Sequence, residues 1–569
     1  MSRSLFLGAT AVVFAALVAG CGGSSKKAAS TSTTPAAGAK GGTFITVANA
    51  APSGSPDPQV NYTLQEWQWL IFTHDGLVAF KRVGGAAGAQ KVPDLATSIP
   101  TPTDGGKTYK FTLRSGIKFS NGQTLTGNDV KATFERLFKI GDSPNAGTWY
   151  NGIVGAAACI KTPKTCDLSK GIVVNGNTVT FHLTQGDSEF LDKLAVPFAF
   201  ILPASTPPHN VNIPPAGTGP YKWVEYSPNK EMKVVRNPNF KLWSTDAQPE
   251  GLPDAIVQKF GLSVEAEVTA VSNNQADWIF DQVPADRLNE IGTKYPSRIF
   301  INPLTAVWYF AFNVRQPPFN NLKARQAVNF ATDHNALVKI YGGPKLAQPT
   351  CQILPPNFPG YATYCPYTKN PGQSQSASTG DWSAPDLAKA QQLVTQSGTK
   401  GAAVKVNTDT TDVDKSLGLY FVGLLNKLGY KATLQALDAS IQYPYAQNSK
   451  NKVQFAFSSW YQDYPAASDF INILLGCGSF HPNSNSSPNI AEYCGTKTVQ
   501  PMIDKALKTG ITDQAAANKT WTQADHQLVD EAVWVPMFNP KYLDFVSNRV
   551  KGHQFSPQWY FLLDQASVK

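Results

Sequence analysis

Between Val453 and Pro465 the chain reads VQFAFSSWYQDYP, which sets Trp460, Tyr461, Asp463 and Tyr464 within five positions. Flat aromatic faces shield a carboxylate from water, and in such surroundings a charge-assisted hydrogen bond is worth about 1.5–3 kcal/mol. That chemistry suits the capture of a cation such as a primary ammonium. The plain alternative is that Asp463 caps a helix after Pro465 or closes a local turn. Catalytic patterns are missing: the chain has no GxSxG and no GxxxxGK[ST], and its GTGPYK lacks the third glycine of a dinucleotide fingerprint. A hydrolytic pairing of Asp463 with Asp412 or Asp438 has no fixed carboxylate separation to support it. The expectation is a binding protein with no enzymatic activity and no cofactor.

The acids need elements to hold them. Between Ala402 and Trp460 lie three strand candidates, AVKVNTD, KATLQALD and VQFAFSS, with helical patterns between them. The first connector, DKSLGLYFVGLLNKLG, places Leu417, Phe421, Leu424, Leu425 and Leu428 on one face and stops at Gly429. The second, SIQYPYAQNSKN, is interrupted by Pro444. Alternation of this kind predicts right-handed crossovers and a parallel sheet, and ligands gather outside the carboxyl ends of such strands. Asp409, Asp438 and Asp463 each stand just past one of them.

Earlier in the chain a strand, GGTFITVANA, leads through the turn SGSPDPQ into the aromatic stretch NYTLQEWQWLIF. A β-rich section follows. TYKFTLRSGIKFSNGQTL alternates Tyr109, Phe111 and Leu113 on one face, with turns at Ser115-Gly116 and Asn121-Gly122. GNDVKATFERLF reads as a helix, and GIVVNGNTVTFHL as a hairpin around Asn175-Gly176-Asn177. The fold class is mixed α/β. With 569 residues, two or three compact units are expected.

The first residues carry an address. Arg3 precedes an apolar run from Leu5 to Val18, and Ala19-Gly20 leads into Cys21, the layout of a secretion signal over 1–20. Residues 21–40 are nearly free of large apolar side chains and predict a flexible linker with a reach of roughly 25 Å. The six cysteines besides Cys21 fall into sequence-local couples, and loop-closure entropy favours pairing Cys159 with Cys166, Cys351 with Cys365, and Cys477 with Cys494. A metal site competes weakly with this, since there is no CxxC and no HExxH among seven scattered histidines. Charge is distributed rather than massed: the net +9 contains no run of five basic residues and is interspersed with 40 acids, which argues against a nucleic-acid partner.

Several segments resemble one family in their order along the chain. VPDLATSIPTPTDGGKTYKFTLRSGIKFSNGQTLTGNDVKATFERL, AGTGPYKWVEY with RNPNF, PPFNNLKARQAVNFATDHNAL and WYQDYP itself look like the extracellular solute-binding proteins, family five, of peptide-type ABC importers. Val18-Ala19-Gly20-Cys21 likewise resembles a bacterial lipobox, which implies cleavage before Cys21, acylation including palmitate, and anchoring on the extracytoplasmic face of a membrane.

The resemblance implies a two-lobed clamp that closes on its cargo by hinge motion. Lobe I would combine 41–76, 205–300 and 537–569. A β-rich domain of 77–204 would be inserted into it, and 301–536 would form lobe II. A monomer would capture peptides, as oligopeptides held by their free α-amino group, and deliver them to an ABC permease with its ATPase. By position, Asp463 would receive the α-ammonium and Trp460 would pack on the ligand, with Tyr461 and Tyr464 beside them. Val60, Asn61 and Tyr62 would add backbone hydrogen bonds to an extended ligand. Tyr109 and Tyr221 are read as core residues. Two departures stand out. The arginine that clamps a ligand carboxylate in dipeptide binders is replaced by the stretch Thr408, Asp409, Thr410, Thr411 and Asp412, and Gln462 is bulkier than the small residue common there. A non-peptide solute, such as a nickel complex, a sugar or another amine, remains open, as does a receptor that feeds a sensor.

Overall fold

A computed structural model describes residues 39–568 apart from 53, 141–148, 285, 371–381 and 486. The signal segment, Cys21 and most of the linker lie outside the described residues.

Two sheets organise the body. The first contains β1 (Thr43–Ala48), β2 (Tyr221–Ser227), β3 (Glu231–Arg236), β4 (Ala255–Phe260) and β5 (Trp278–Ile279), in the order β5-β1-β4-β3-β2. β1 runs parallel to both neighbours, and β2 with β3 forms an antiparallel hairpin. Helix α1 (Leu64–Leu70) follows β1 and is capped by the Thr63 side chain, which accepts from the Glu66 amide. Gly217 and Gly219 of the GTGPY run press against the end of α1: a Cβ at Gly217 would sit 2.1 Å from the Thr73 carbonyl oxygen. Only glycine permits that approach.

Residues 77–204 depart from this sheet. They hold a three-stranded antiparallel sheet (Thr108–Thr112, Thr178–His182, Ile172–Asn175) and helix α2 (Gly127–Lys139), whose Thr126–Asp129 capping box closes its N-terminus. Tyr109 and Tyr221 are buried, their hydroxyls donating to the Asp187 and Pro253 carbonyls at 2.6 and 2.7 Å.

The second sheet is mixed. Its strands are β6 (Ile299–Pro303), β7 (Ala306–Phe312), β8 (Ala347–Pro349), β9 (Ala403–Asp409), β10 (Lys431–Leu437), β11 (Phe455–Tyr461) and β12 (Trp534–Phe545). The order is β6-β12-β7-β11-β9-β10, with β8 against β12. The parallel arrangement predicted for the three crossover strands holds among β10, β9 and β11, where α3 (Asp412–Lys427) provides the first crossover with Leu417, Phe421, Leu424 and Leu425 buried. It does not extend further, because β7 and β12 reach the sheet from outside that unit and pair antiparallel. Pro444 stands inside a helix, Ala439–Gln447, instead of breaking it.

β12 joins the two halves. Its first part pairs with β7, its last residues pair with β6, and Val546 just beyond it bridges to Trp278 of the first sheet. Residues 537–545, expected with lobe I, therefore pair within the second sheet. One large core unites the first sheet, α1 and the inserted section, while two others cover the second sheet with its helices. Val47 and Ile279 of the first sheet belong to the second of these cores. All three expected disulfides are formed, Cys159–Cys166, Cys351–Cys365 and Cys477–Cys494.

Candidate ligand-binding site

β11 ends at Tyr461, and Asp463 stands two residues further, before α4 (Ser468–Leu475). Asp463 does not cap that helix: the N-cap position is Ala467 and makes no side-chain cap. The Asp463 amide instead donates to Asp469 Oδ2 at 3.0 Å, and the Trp460 indole reaches the same oxygen at 3.4 Å. Trp460 thus orients a second carboxyl behind Asp463.

The Asp463 carboxyl is 7% exposed and faces a residue from the other half of the protein. Tyr62, on the segment between β1 and α1, donates its hydroxyl to Asp463 Oδ2. Tyr62 stacks on Trp67 at 5.5 Å and meets Phe198 edge-on at 5.2 Å, so its ring is braced by the first core. Even so it keeps 44% of its surface accessible, and Tyr461 keeps 37%. Desolvation is nonetheless the main cause that raises both phenols above their ordinary range.

Electrostatics set this spot apart. Burial drives the Asp463 carboxyl well above the usual carboxylate range, opposed by the hydrogen bond from Tyr62. Asp469 is raised as well, by burial first and then by the charge of Asp463. Among the described residues no Lys, Arg or His forms an ion pair with either acid, and Asp469 Oδ1 is buried without a hydrogen-bond partner. Two buried acids side by side with no cation paired to them among the described residues disfavour ionisation of both.

Other expected residues fall elsewhere. The Tyr461 hydroxyl accepts from the Trp308 indole at 3.2 Å. Tyr464 is 1% exposed and inserts into the first core against Trp149 at 5.5 Å, its hydroxyl donating to Glu189 Oε2 at 3.3 Å. It is a wedge between the halves. Val60 and Asn61 do not present the expected strand edge. Both amides turn back onto the Asp57 carbonyl at 2.9 and 2.8 Å, and the Asn61 carbonyl accepts the Trp67 indole, so these groups are already used. The Tyr62 side chain is what reaches the site. Gln462, whose bulk stood out, donates to the Pro557 carbonyl at 3.1 Å and to Gln558 Oε1 at 2.8 Å, and Gln558 donates to the Asp463 carbonyl. Asp469, Glu189, Trp149 and Gln558 were not legible as site residues, since the bonds that bring in Glu189 and Gln558, for example, span 275 and 95 positions. Only Asp469, six residues past Asp463, shared a local signal.

Residues 90–482 match the profile of the bacterial extracellular solute-binding proteins, family 5 Middle. The chain belongs to this family. Among similar curated proteins are the Probable D,D-dipeptide-binding periplasmic protein DdpA of Escherichia coli K12, 24% identical over 90% of this chain and 92% of its own length, and the glutathione-binding protein GsiB of Salmonella typhi, 24% identical over 84% and 86%. Among solved structures, the clavulanic acid biosynthesis oligopeptide binding protein 2 superposes with a TM-score of 0.83 at 22% identity, covering 94% of this chain and 99% of that one. The Escherichia coli murein tripeptide binding protein MppA gives 0.73 at 18% identity, covering 94% and 99%. This family 5 protein therefore has the two-lobed binding fold, and it is a solute binder of extracytoplasmic type. Among the described residues no helix is long and apolar enough to cross a membrane.

Proposed function

We propose that this protein captures peptides by their free α-amino group at Asp463 and hands them to an ABC importer. The observation that carries the reading is a buried carboxyl, without a cation of its own, at the contact between the two halves and bonded across it by Tyr62. A ligand ammonium would supply the missing charge and bind both halves at once. The similarity to dipeptide, glutathione and tripeptide binders supports a peptide of a few residues. The monomeric protein would be anchored through acylated Cys21, so that Cys21→Ala should move it from the membrane fraction to the soluble one.

Isothermal titration with tri-alanine and its N-acetyl form tests the site. Acetylation, and separately Asp463→Asn, should each weaken binding by about ten-fold or more, as loss of one charge-assisted bond requires. Equal affinities would sink the ammonium role.

A second reading is favoured by the end of β9. There Asp409 accepts from the Thr411 amide at 2.8 Å and from its hydroxyl, and burial lifts the neighbouring Asp414 carboxyl to about 8. A place built of acids does not receive a ligand carboxylate, so an amine without a nearby carboxylate fits as well. Mass spectrometry of the copurifying small molecule separates the two.

A further inference from the structure

A cavity of about 750 Å³ does not include Asp463 but begins at its neighbour Tyr464. One wall comes from the inserted section, with Trp149, Asp187, Glu189 and Lys193, and the other from the second half, with Tyr464 and Ile473. The size lies within the range of small-ligand sites.

Its polar groups are unequally matched. Lys193 is paired with Asp187 at 2.7 Å. Glu189 is 6% exposed, accepts a long 3.3 Å bond from Tyr464 on Oε2 and is also hydrogen-bonded by the Ser468 side chain, and among the described residues forms no ion pair. Burial lifts its carboxyl to about 7, against the pull of the Lys193 charge. Trp149 and Tyr464 line this cavity with their rings 5.5 Å apart, and Trp149 also meets Tyr62, the residue bonded to Asp463. The two acids thus lie on either side of one aromatic partition, and aromatic faces themselves attract cations.

We propose that this cavity receives a second positive group of the cargo, a lysine ammonium or arginine guanidinium, at Glu189. The inference rests on the peptide reading above and specifies the class of peptide: one with a cationic side chain in addition to its free amino end. Glu189 would be the specificity acid, and Trp149 and Tyr464 would enclose the alkyl stem.

Titrate tri-alanine and the three tripeptides that carry one lysine at each position in turn, with the matching glutamate set, into the wild-type protein and Glu189→Gln. At least one lysine peptide should bind wild type ten-fold or more tightly than tri-alanine, no glutamate peptide should do so, and Glu189→Gln should erase the lysine advantage, read as the ratio of lysine-peptide to tri-alanine affinity within the variant. The wild-type comparison stands even if the variant fails to fold. Equal affinity for tri-alanine and every lysine peptide, or an advantage that survives Glu189→Gln, overturns the inference and leaves the peptide reading intact. Failure of every peptide, tri-alanine included, defeats both.

Discussion

At the scale of single residues, the site is a matter of who holds the proton. Asp463 is costly to ionise while buried beside Asp469, and the hydrogen bond from Tyr62 only partly offsets this. The Tyr62 hydroxyl also spans the two halves, so Tyr62→Phe removes a hydrogen bond to the Asp463 carboxyl and one tie between the halves. Peptide affinity should fall by roughly five- to ten-fold in calorimetry; an unchanged value would show that the hydroxyl does not support the closed site. Binding should also depend on pH with a definite sign. The acids carry raised values, so they are protonated and silent at low pH and attract an ammonium only as pH rises, while the α-amino group loses its charge above about 8. Affinity should peak near neutrality or slightly above and drop several-fold by about pH 5. A flat profile would remove the carboxyl from the binding step.

At the scale of elements, the turn that delivers Tyr62 is held by a buried ion pair. Arg136 of α2 donates through both terminal nitrogens to Asp57, and also to Gln59 at 2.6 Å and to the carbonyls of Pro207 and His209. Asp57 is 0% exposed, and its carbonyl is the one onto which Val60 and Asn61 turn back. Arg136→Ala would leave Asp57 buried and unpaired, a change that costs about 3–5 kcal/mol. Chemical denaturation should show that loss, with peptide affinity reduced in whatever protein remains folded. Much at this scale was legible: α2, the hairpin at Gly176, α3 and the three crossover strands all follow periodicity and turn chemistry that operate over a few residues. The turn at Val60 was not, because the arginine that braces it stands 79 positions away, 57 to 136.

At the scale of the whole molecule, buried acids shape stability. Burial lifts Glu66, Glu267 and Asp414 to about 8 and Glu189 to about 7. In the unfolded chain the same groups titrate near 4. Between those limits the folded protein holds more protons than the unfolded one, so stability is full below about pH 4 for these groups and is lost as pH rises through 7 to 8. Thermal melts should fall by roughly 5 °C from about pH 5 to about pH 8. A cationic peptide should restore part of the loss at the higher pH, since binding only the folded form adds stability. A rise in melting temperature with pH would contradict the buried positions of these acids.

The amino-acid order by itself determined the local elements, the three disulfide couples and the likeness to a solute-binding family, because each depends on patterns within a short window or on motifs in sequence order. It also marked Asp463 as a carboxylate among aromatics. Tertiary structure alone decided what those aromatics do. Tyr464 became a wedge in the other half's core, Tyr461 turned toward Trp308, and Tyr62 supplied a hydroxyl where its backbone had been expected. Neighbours in a strand point to opposite faces, and the partner that meets each face comes from a distant part of the chain. Contacts that close a cleft are set by packing between halves, which no local pattern records.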